Sequence, residues 1–309
     1  MDVALHDTYY IIINNNYKEN FYFYFEIYME ILPLIKYSKK NLMKEDIINI
    51  SYYHPFFVGL LEGDGTITVD KISKESLRLR IVISLLNKTE NYNMLNLIKE
   101  NIGGRLTIER NNRYVTWIAS SKKDIAKVLS ILAKYPLLTT RKICQLNYAK
   151  ECLLLLNDKN ILKNWQELKD NKYSLQSKLL EKFNTNFVLP HYFSAWLSGF
   201  IEAEGSFKLV KYSNNSIKVS QFVIGQNYEK HILNLILKYF NKENCKIAEI
   251  KTKTNLEFDT QTQTHTQPVF YYKIGLGGKE FRLSLQNHFN IYPLLGNKKL
   301  QYEEWINNH

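Results

Sequence analysis

The sequence predicts an α+β protein built from two pseudo-symmetric halves, each ordered helix, two strands, helix, two strands, helix, with a four-stranded antiparallel sheet backed by helices. Three internal repeats predict it. FFVGLLEGDG at Phe56–Gly65 returns as WLSGFIEAEG at Trp196–Gly205, Met94-Leu-Asn-Leu-Ile98 returns as Ile232-Leu-Asn-Leu-Ile236, and Tyr135-Pro-Leu-Leu138 returns as Tyr292-Pro-Leu-Leu295. The offsets are 140 (64 to 204), 138 (94 to 232) and 157 (135 to 292), and the order is kept, as in a domain duplication. Within each copy the apolar period changes from helical to alternating and back, the pattern of helices layered on a sheet.

The elements follow in order. Residues 1–51 are expected to be a leader, flexible over its Tyr-, Asn- and Lys-rich part. The first repeat, 52–150, opens with the helix of the acidic phrase, with Pro55 as an early helical residue and Gly65, like Gly205 in the second copy, at the stop. Two strands follow, the second at Leu77–Leu86, where Leu77, Leu79, Ile81 and Ile83 alternate with Arg78, Arg80, Val82 and Ser84. An amphipathic helix at Asn91–Asn101 leads to Gly103-Gly104. Strands Arg105–Arg110 and Arg113–Ser120 are expected to turn on the two residues Asn111-Asn112, and a helix at Lys122–Lys134 closes the unit. A charge-balanced stretch from about Asn147 to Leu189 reads as helical, so 151–189 is assigned as a linker, with Leu153–Leu156 packing on the first repeat.

The second repeat, 190–309, has its second strand at Ser216–Ile224, with Lys218, Ser220 and Phe222 on one face. The growth of the offset from 138 to 157 places an insertion between Ile236 and Tyr292. Its seat is the Thr/Gln-rich run Lys251–Pro268, read as a long hairpin loop.

Composition narrows the partner. With 309 residues and 45% hydrophobic content the chain can bury two cores, and its net charge of +11 points to a polyanion or an anionic surface. The charge is patterned: residues 1–65 sum to −4, 66–150 to +10, 151–205 to −1 and 206–309 to +6, so a basic block follows each acidic phrase. That favours nucleic acid. The cysteines Cys144, Cys152 and Cys245 are too few and too scattered for a zinc site or a disulfide framework. The most apolar stretch, Phe21–Ile35, is broken by Glu26, Glu30 and Pro33, so no membrane span is expected. Asp2 and Asp7 stand where an import or export signal would be basic.

Small residues four apart, Gly59 and Gly63 in one phrase, Gly199 and Ala203 in the other, allow the two helices to pack closely side by side. Their terminal acids Asp64 and Glu204 then converge. Two carboxylates at helix C-termini repel each other and the dipole, so a divalent cation, Mg²⁺ or Ca²⁺, is the natural match. A metal beside a phosphodiester supports hydrolytic nuclease chemistry, and a pseudo-twofold pair of sites matches the local symmetry of duplex DNA.

Both phrases resemble the nonapeptide of the LAGLIDADG homing endonucleases, as Phe57-Val-Gly-Leu-Leu-Glu-Gly-Asp-Gly65 and Leu197-Ser-Gly-Phe-Ile-Glu-Ala-Glu-Gly205, and the resemblance extends over about residues 52–309. It implies a monomeric, Mg²⁺-dependent endonuclease cutting both strands of a long asymmetric double-stranded DNA site of roughly 20 base pairs. It assigns Asp64 and Glu204 as metal ligands and catalytic residues, the Gly63 and Ala203 carbonyls as further ligands, and Glu62 and Glu202 as structural. It also implies further catalytic side chains: an amide or basic group ending the second strand, Gln226 in the second copy and Asn87 or Lys88 in the first, and a lysine on the fourth strand, Lys273, where Trp117 is taken as the first copy's counterpart. Arg78, Arg80 and Lys218 are expected to read DNA from the sheets. The alternative within the family is a maturase that binds its own group I intron RNA. Finally, Asp2-Val-Ala-Leu-His-Asp-Thr-Tyr-Tyr10 resembles a segment of cytochrome c oxidase subunit I, as an exon remnant before an intron reading frame would, which implies a mitochondrial setting.

Overall fold

In the computed structural model, the described residues are 44–73, 76–154, 161–185, 187–211, 213, 217–252 and 269–308. The chain divides into two units, Met1–Ile50 and Ser51–His309. Of the first, only the opening turns of a helix fall among the described residues. The Asp2–Tyr10 match and the leader to Met43 lie outside them.

Helix α1 (Lys44–Asp64) leads into strands β1 (Gly65–Lys71) and β2 (Leu77–Leu86), helix α2 (Thr89–Ile102), strands β3 (Arg105–Glu109) and β4 (Tyr114–Ala119), and helix α3 (Lys122–Lys134). Pro55 therefore sits inside α1, where it removes one ladder hydrogen bond without ending the helix. After α4 (Thr140–Leu154), α5 (Ile161–Asp170) and α6 (Gln176–Thr185), the pattern returns as α7 (Phe193–Glu204), β5 (Ser206–Lys211), β6 (Ile217–Asn227), α8 (Lys230–Tyr239), β7 (Ala248–Thr252), β8 (Val269–Leu276) and α9 (Lys279–Ile291), followed by α10 (Lys298–Asn307). Both sheets are antiparallel and share one topology, β1-β2-β4-β3 and β5-β6-β8-β7.

The strand pattern is obeyed in β2: Leu77, Leu79, Ile81 and Ile83 are buried, while Arg78 and Ser84 are exposed. In β6, Phe222 and Ile224 are fully buried, so the face expected to carry Lys218 with Phe222 is the core face. The ladder also shifts between Val210 and Lys211 opposite this point, as Val219 pairs with Val210 and Ile217 with Lys211, which leaves Lys218 as the extra residue. Only its backbone is described. Gln221 and Val223 take the open face instead, because one step along a strand reverses the side.

The expected two-residue turn is a four-residue connection, since Glu109 pairs with Tyr114. Arg110, Asn111 and Asn112 all take left-handed backbone, which Asn tolerates well. Between β7 and β8, Thr252 pairs with Val269, so the insertion is the hairpin connection, and residues 253–268 lie outside those described.

The segment between the repeats is more integrated than a linker. Its first helix, α4, begins seven residues before the expected Asn147, and Gln145 accepts a hydrogen bond from the Ile67 amide of β1 at 3.2 Å. Phe183 of α6 and Phe187 beyond it both lie 5.1 Å from the ring of His231 in α8. One apolar cluster runs through both repeats, centred on α1 and α7, with Phe56, Phe57, Trp196 and Phe200 fully buried. Each such side chain contributes about 1.5–3 kcal/mol. Cys144 and Cys152 are buried and unpaired, as small apolar residues.

Tyrosines ahead of the two acidic phrases reach across to the opposite repeat. Tyr52 donates to the carbonyl of Pro293, and Tyr192 donates to that of Pro136 at 2.5 Å. Tyr52 and Tyr192 are 140 residues apart, and the two prolines belong to the two YPLL phrases.

Candidate active site

The seam between α1 and α7 is made by absent side chains. A Cβ on Gly59 would stand 1.9 Å from the Trp196 carbonyl oxygen, and one on Gly199 would stand 1.9 Å from that of Phe56. One turn further on, a Cβ on Gly63 would stand 2.2 Å from the Ala203 Cβ. Gly65 and Gly205 serve by size as well: Gly205 is extended (φ −69°, ψ 150°), and a Cβ there would meet Ile201 at 2.6 Å. At the helix stop the glycines are thus required by close packing against the preceding turn.

This seam carries Asp64 and Glu204 to one place. The Asp64 side chain still meets solvent, but the protein crowding its inner side, and then the charge of Glu204, push its carboxyl up to about 7. Lys298 and Lys142 oppose that rise. Glu204 is also raised by burial, and is drawn down by a hydrogen bond from Gln226 and by the same two lysines. The site brings two carboxylates and two cations within electrostatic reach of one another, with the amide of Gln226 on Glu204.

The inner acids of the phrases have a different task. Glu62 is buried and accepts from the amides of Leu138 at 2.8 Å and Thr139 at 2.5 Å, from the Thr139 hydroxyl at 2.8 Å, and from the Trp196 indole at 2.5 Å. Glu202 accepts from the amides of Gly296 at 3.1 Å and Lys298 at 2.9 Å. Each ties the loop after its own YPLL phrase to the central helix. These loops begin α4 and α10, whose first turns hold Lys142 and Lys298.

Lys142 and Lys298 were the residues that sequence reasoning passed over. The signal was the basic pair after each YPLL, Arg141-Lys142 and Lys298-Lys299, and the structure selects one of each. Arg141 turns its guanidinium over the Tyr173 ring at 5.5 Å, and Lys299 lies 3.9 Å from Glu303. Lys142 is buried, and desolvation lowers its pKa against the opposing pull of Glu62. Lys298 is likewise lowered by burial, opposed by Glu202, Asp64 and Glu204.

The remaining expected residues fall into place by register. Gln226 pairs with Tyr272 and Gly225 with Lys273, whereas Leu85 pairs with Val115 and Ser84 with Thr116. Thr66 pairs with Val82 as Ser206 pairs with Val223, which makes Leu85 the counterpart of Gln226 and, through the pairing of β2 with β4 and of β6 with β8, Thr116 the counterpart of Lys273. Trp117 matches Ile274 and is not the equivalent of Lys273: it is fully buried, donates to the Gly103 carbonyl at 2.8 Å and meets Phe57 edge-on at 5.2 Å. Asn87 is engaged with the Asn112 carbonyl at 3.0 Å. Lys88 is exposed at the start of α2 and its charge reaches Lys298. Lys273 stands on the open face of β8, next to the buried Ile274. Arg78 is exposed on the first sheet, and Arg80 beside it is held in an ion pair with Asp70.

Among the described residues no cage of three or more His, Cys, Asp or Glu side chains is present, and no helix is long and apolar enough to cross a membrane.

Comparison with known proteins gives a consistent result. The profile of the family described as LAGLIDADG endonuclease matches residues 57–152 and 197–309. The "Probable intron-encoded endonuclease aI3" of Dictyostelium citrinum is 33% identical over 277 residues, covering 88% of this chain and 99% of that protein. The "Probable intron-encoded endonuclease aI3" of Debaryomyces hansenii is 30% identical over 297 residues, covering 87% of this chain but 39% of its own longer length. Among solved structures, the I-SmaMI protein bound to uncleaved DNA target in the presence of calcium ions superposes with a TM-score of 0.56 at 17% identity, covering 82% of this chain and 89% of that one, a likeness of fold.

Proposed function

The chain belongs to the LAGLIDADG endonuclease family, and from that premise we propose that it is a homing DNA endonuclease acting as a monomer, which makes a metal-dependent double-strand break in a long asymmetric DNA target. The observation that carries the reading is the meeting of Asp64 and Glu204 with Lys142 and Lys298 at the end of the glycine seam. A binding protein has no use for two acids that repel each other beside a polyanion.

The donor set fits a hard divalent cation. Two carboxylates with the neighbouring Gly63 and Ala203 carbonyls supply oxygen ligands, and the lack of a fuller cage among the described residues suits Mg²⁺, which keeps positions for water and substrate phosphate. When bound there, the metal would activate water and neutralise the leaving oxygen. Calcium in the I-SmaMI complex agrees with an oxygen-ligand site. Asp64 and Glu204 would hold the cation. Lys142 and Lys298 offset phosphate charge that the acids would otherwise repel. Gln226 fixes the orientation of Glu204, and with Leu85 at the matching place the two half-sites are unequal. Arg78, Arg80, Gln221, Lys273 and Lys88 are the side chains we assign to DNA contact, from the open sheet faces and the start of α2. The Asp2–Tyr10 resemblance and the intron-encoded relatives support an origin in an intron of the mitochondrial oxidase gene.

The test incubates the chain and Mg²⁺ with DNA spanning the joined oxidase exons, comparing wild type with Asp64→Asn and Glu204→Gln. Wild type should cut both strands, and the variants should bind without cutting. Specific cleavage surviving both substitutions would sink the site, and tight binding of intron RNA with no cleavage by wild type would replace the reading with a maturase.

A further inference from the structure

Asn91 and Glu229 occupy the same place in the two repeats, 138 residues apart on the offset of the LNLI phrases, at the start of α2 and immediately before α8. Both are buried. Each reaches into the other repeat and takes up amides at the start of the helix that carries a site lysine. Glu229 accepts from the Thr140 and Arg141 amides, both at 3.1 Å, and from the Thr140 hydroxyl at 2.7 Å. Asn91 accepts from the Asn297 amide at 2.9 Å, while its own amide donates to the Leu86 carbonyl at 2.9 Å. The second repeat adds a further hold, as the His231 ring donates through Nε2 to the Leu138 carbonyl at 2.9 Å.

The first-turn amides of a helix have no partner within it, so these side chains decide where the turn sits. Glu62 and Glu202 take the amides on the near side of each loop, and Glu229 and Asn91 take those that follow or fall between. Lys142 comes directly after Arg141, and Lys298 directly after Asn297. A shift of either turn would move its ammonium group relative to Asp64 and Glu204, and misplacement by about 1 Å at a reacting centre can cost on the order of 10²-fold in rate.

We propose that Asn91 and Glu229 are positioning residues, each setting the placement of the active-site lysine carried by the opposite repeat: Glu229 for Lys142, and Asn91 for Lys298. Its kinetic arm rests on the endonuclease reading, but its structural arm does not. Glu229 holds two amides and a hydroxyl, whereas Asn91 holds one amide, so the Lys142 side is the more firmly set.

The structural arm is NMR of selectively ¹³C-labelled lysine in the full chain without DNA or metal, with signals assigned through Lys142→Arg and Lys298→Arg. Glu229→Ala should displace the Lys142 signal and leave that of Lys298 in place, and Asn91→Ala should do the reverse. Displacement of both signals, or of neither, would overturn the proposal. In the kinetic arm, Glu229→Ala should slow cleavage of the joined-exon DNA about 10-fold in wild type and in Lys298→Ala, but add nothing in Lys142→Ala, because a residue acting through Lys142 has nothing left to act on. An equal loss in all three backgrounds would mark a merely structural role. Glu229→Gln keeps an acceptor oxygen and should restore most of the rate. Should Glu229→Ala fail to fold, Asn91→Ala provides the same cycle against Lys298. If wild type cuts no DNA, the endonuclease reading falls while the NMR result still decides this one.

Discussion

Gly59 and Gly199 are images of each other across the seam: each leaves the space that the opposite helix fills with a backbone carbonyl, Trp196 for one and Phe56 for the other, at the same 1.9 Å from where a Cβ would stand. Because the obstacle is backbone on both sides, neither contact can be relieved by turning a side chain.

Gly59→Ala and Gly199→Ala are each expected to destabilise the protein by about 1–3 kcal/mol or more, the range for overpacking. Urea unfolding monitored by tryptophan fluorescence would measure it. Ala203→Gly should cost only about 1 kcal/mol, through helix propensity. A Gly59→Ala protein as stable as wild type would show that the helices do not pack as described.

Trp196 donates to Glu62 at 2.5 Å, and the first helix has Phe56 at the equivalent place, with no such donor for Glu202. Trp196→Phe therefore keeps the aromatic bulk and withdraws one hydrogen bond from a buried carboxylate, a loss of about 1–3 kcal/mol. Chemical denaturation of Trp196→Phe beside Phe56→Trp checks it, with a loss expected for the first and no gain for the second.

Lys142→Ala and Lys298→Ala should each slow single-turnover cleavage by about 10²-fold, the scale of losing one preorganised charge-stabilising group, while target affinity measured in Ca²⁺ falls little. Gln226→Leu installs the first repeat's residue in the second. It should slow one strand more than the other, visible as nicked duplex with each strand labelled in turn.

Two buried histidines weaken the folded state as the pH falls. His288 stands between the Tyr239 hydroxyl and the Ser198 hydroxyl, each at 2.9 Å, and Ser198 donates to the Tyr292 carbonyl at 2.7 Å. Burial lowers His288 to about 3 and His231 to about 4 from the usual 6.5. At these two sites the unfolded chain binds more protons than the folded one below 6.5, so their contribution is full above that pH and falls as pH drops toward 4 and then 3, by at most about 1.4 kcal/mol per unit for each histidine, while Glu62 and Asp64, raised by burial to about 7, titrate in the opposite sense over the same range. The histidine share is read by difference: the melting temperature of wild type relative to His288→Gln should fall as pH drops from 7 to 4.

The duplication, the central helices and the paired acids were legible because like residues recur at nearly constant offsets. Errors arose where the offset drifts. The YPLL offset of 157, applied to Trp117, leads to Ile274, and only a one-residue slip had set it beside Lys273. With a period of two, that slip exchanges core for open face, as it did for Lys218 beside Phe222. The holds made by Asn91, Glu229, Tyr52 and Tyr192 were illegible for another reason. Self-comparison matches like with like, whereas these contacts join unlike positions from opposite repeats.

The crossing tyrosines bear on how the two repeats can be recombined. Tyr52 and Tyr192 bond to main-chain carbonyls, which every residue possesses, so a repeat grafted from a relative would still present an acceptor wherever its loop follows the same path. The Trp196–Glu62 and Glu229–Thr140 contacts are written in side chains and would be lost in such a graft unless both members travelled with it. Exchange of half-molecules is thus permitted by one pair of crossings and policed by the other, and a working hybrid would need its new half chosen for residues 62, 140, 196 and 229 before anything on the DNA face.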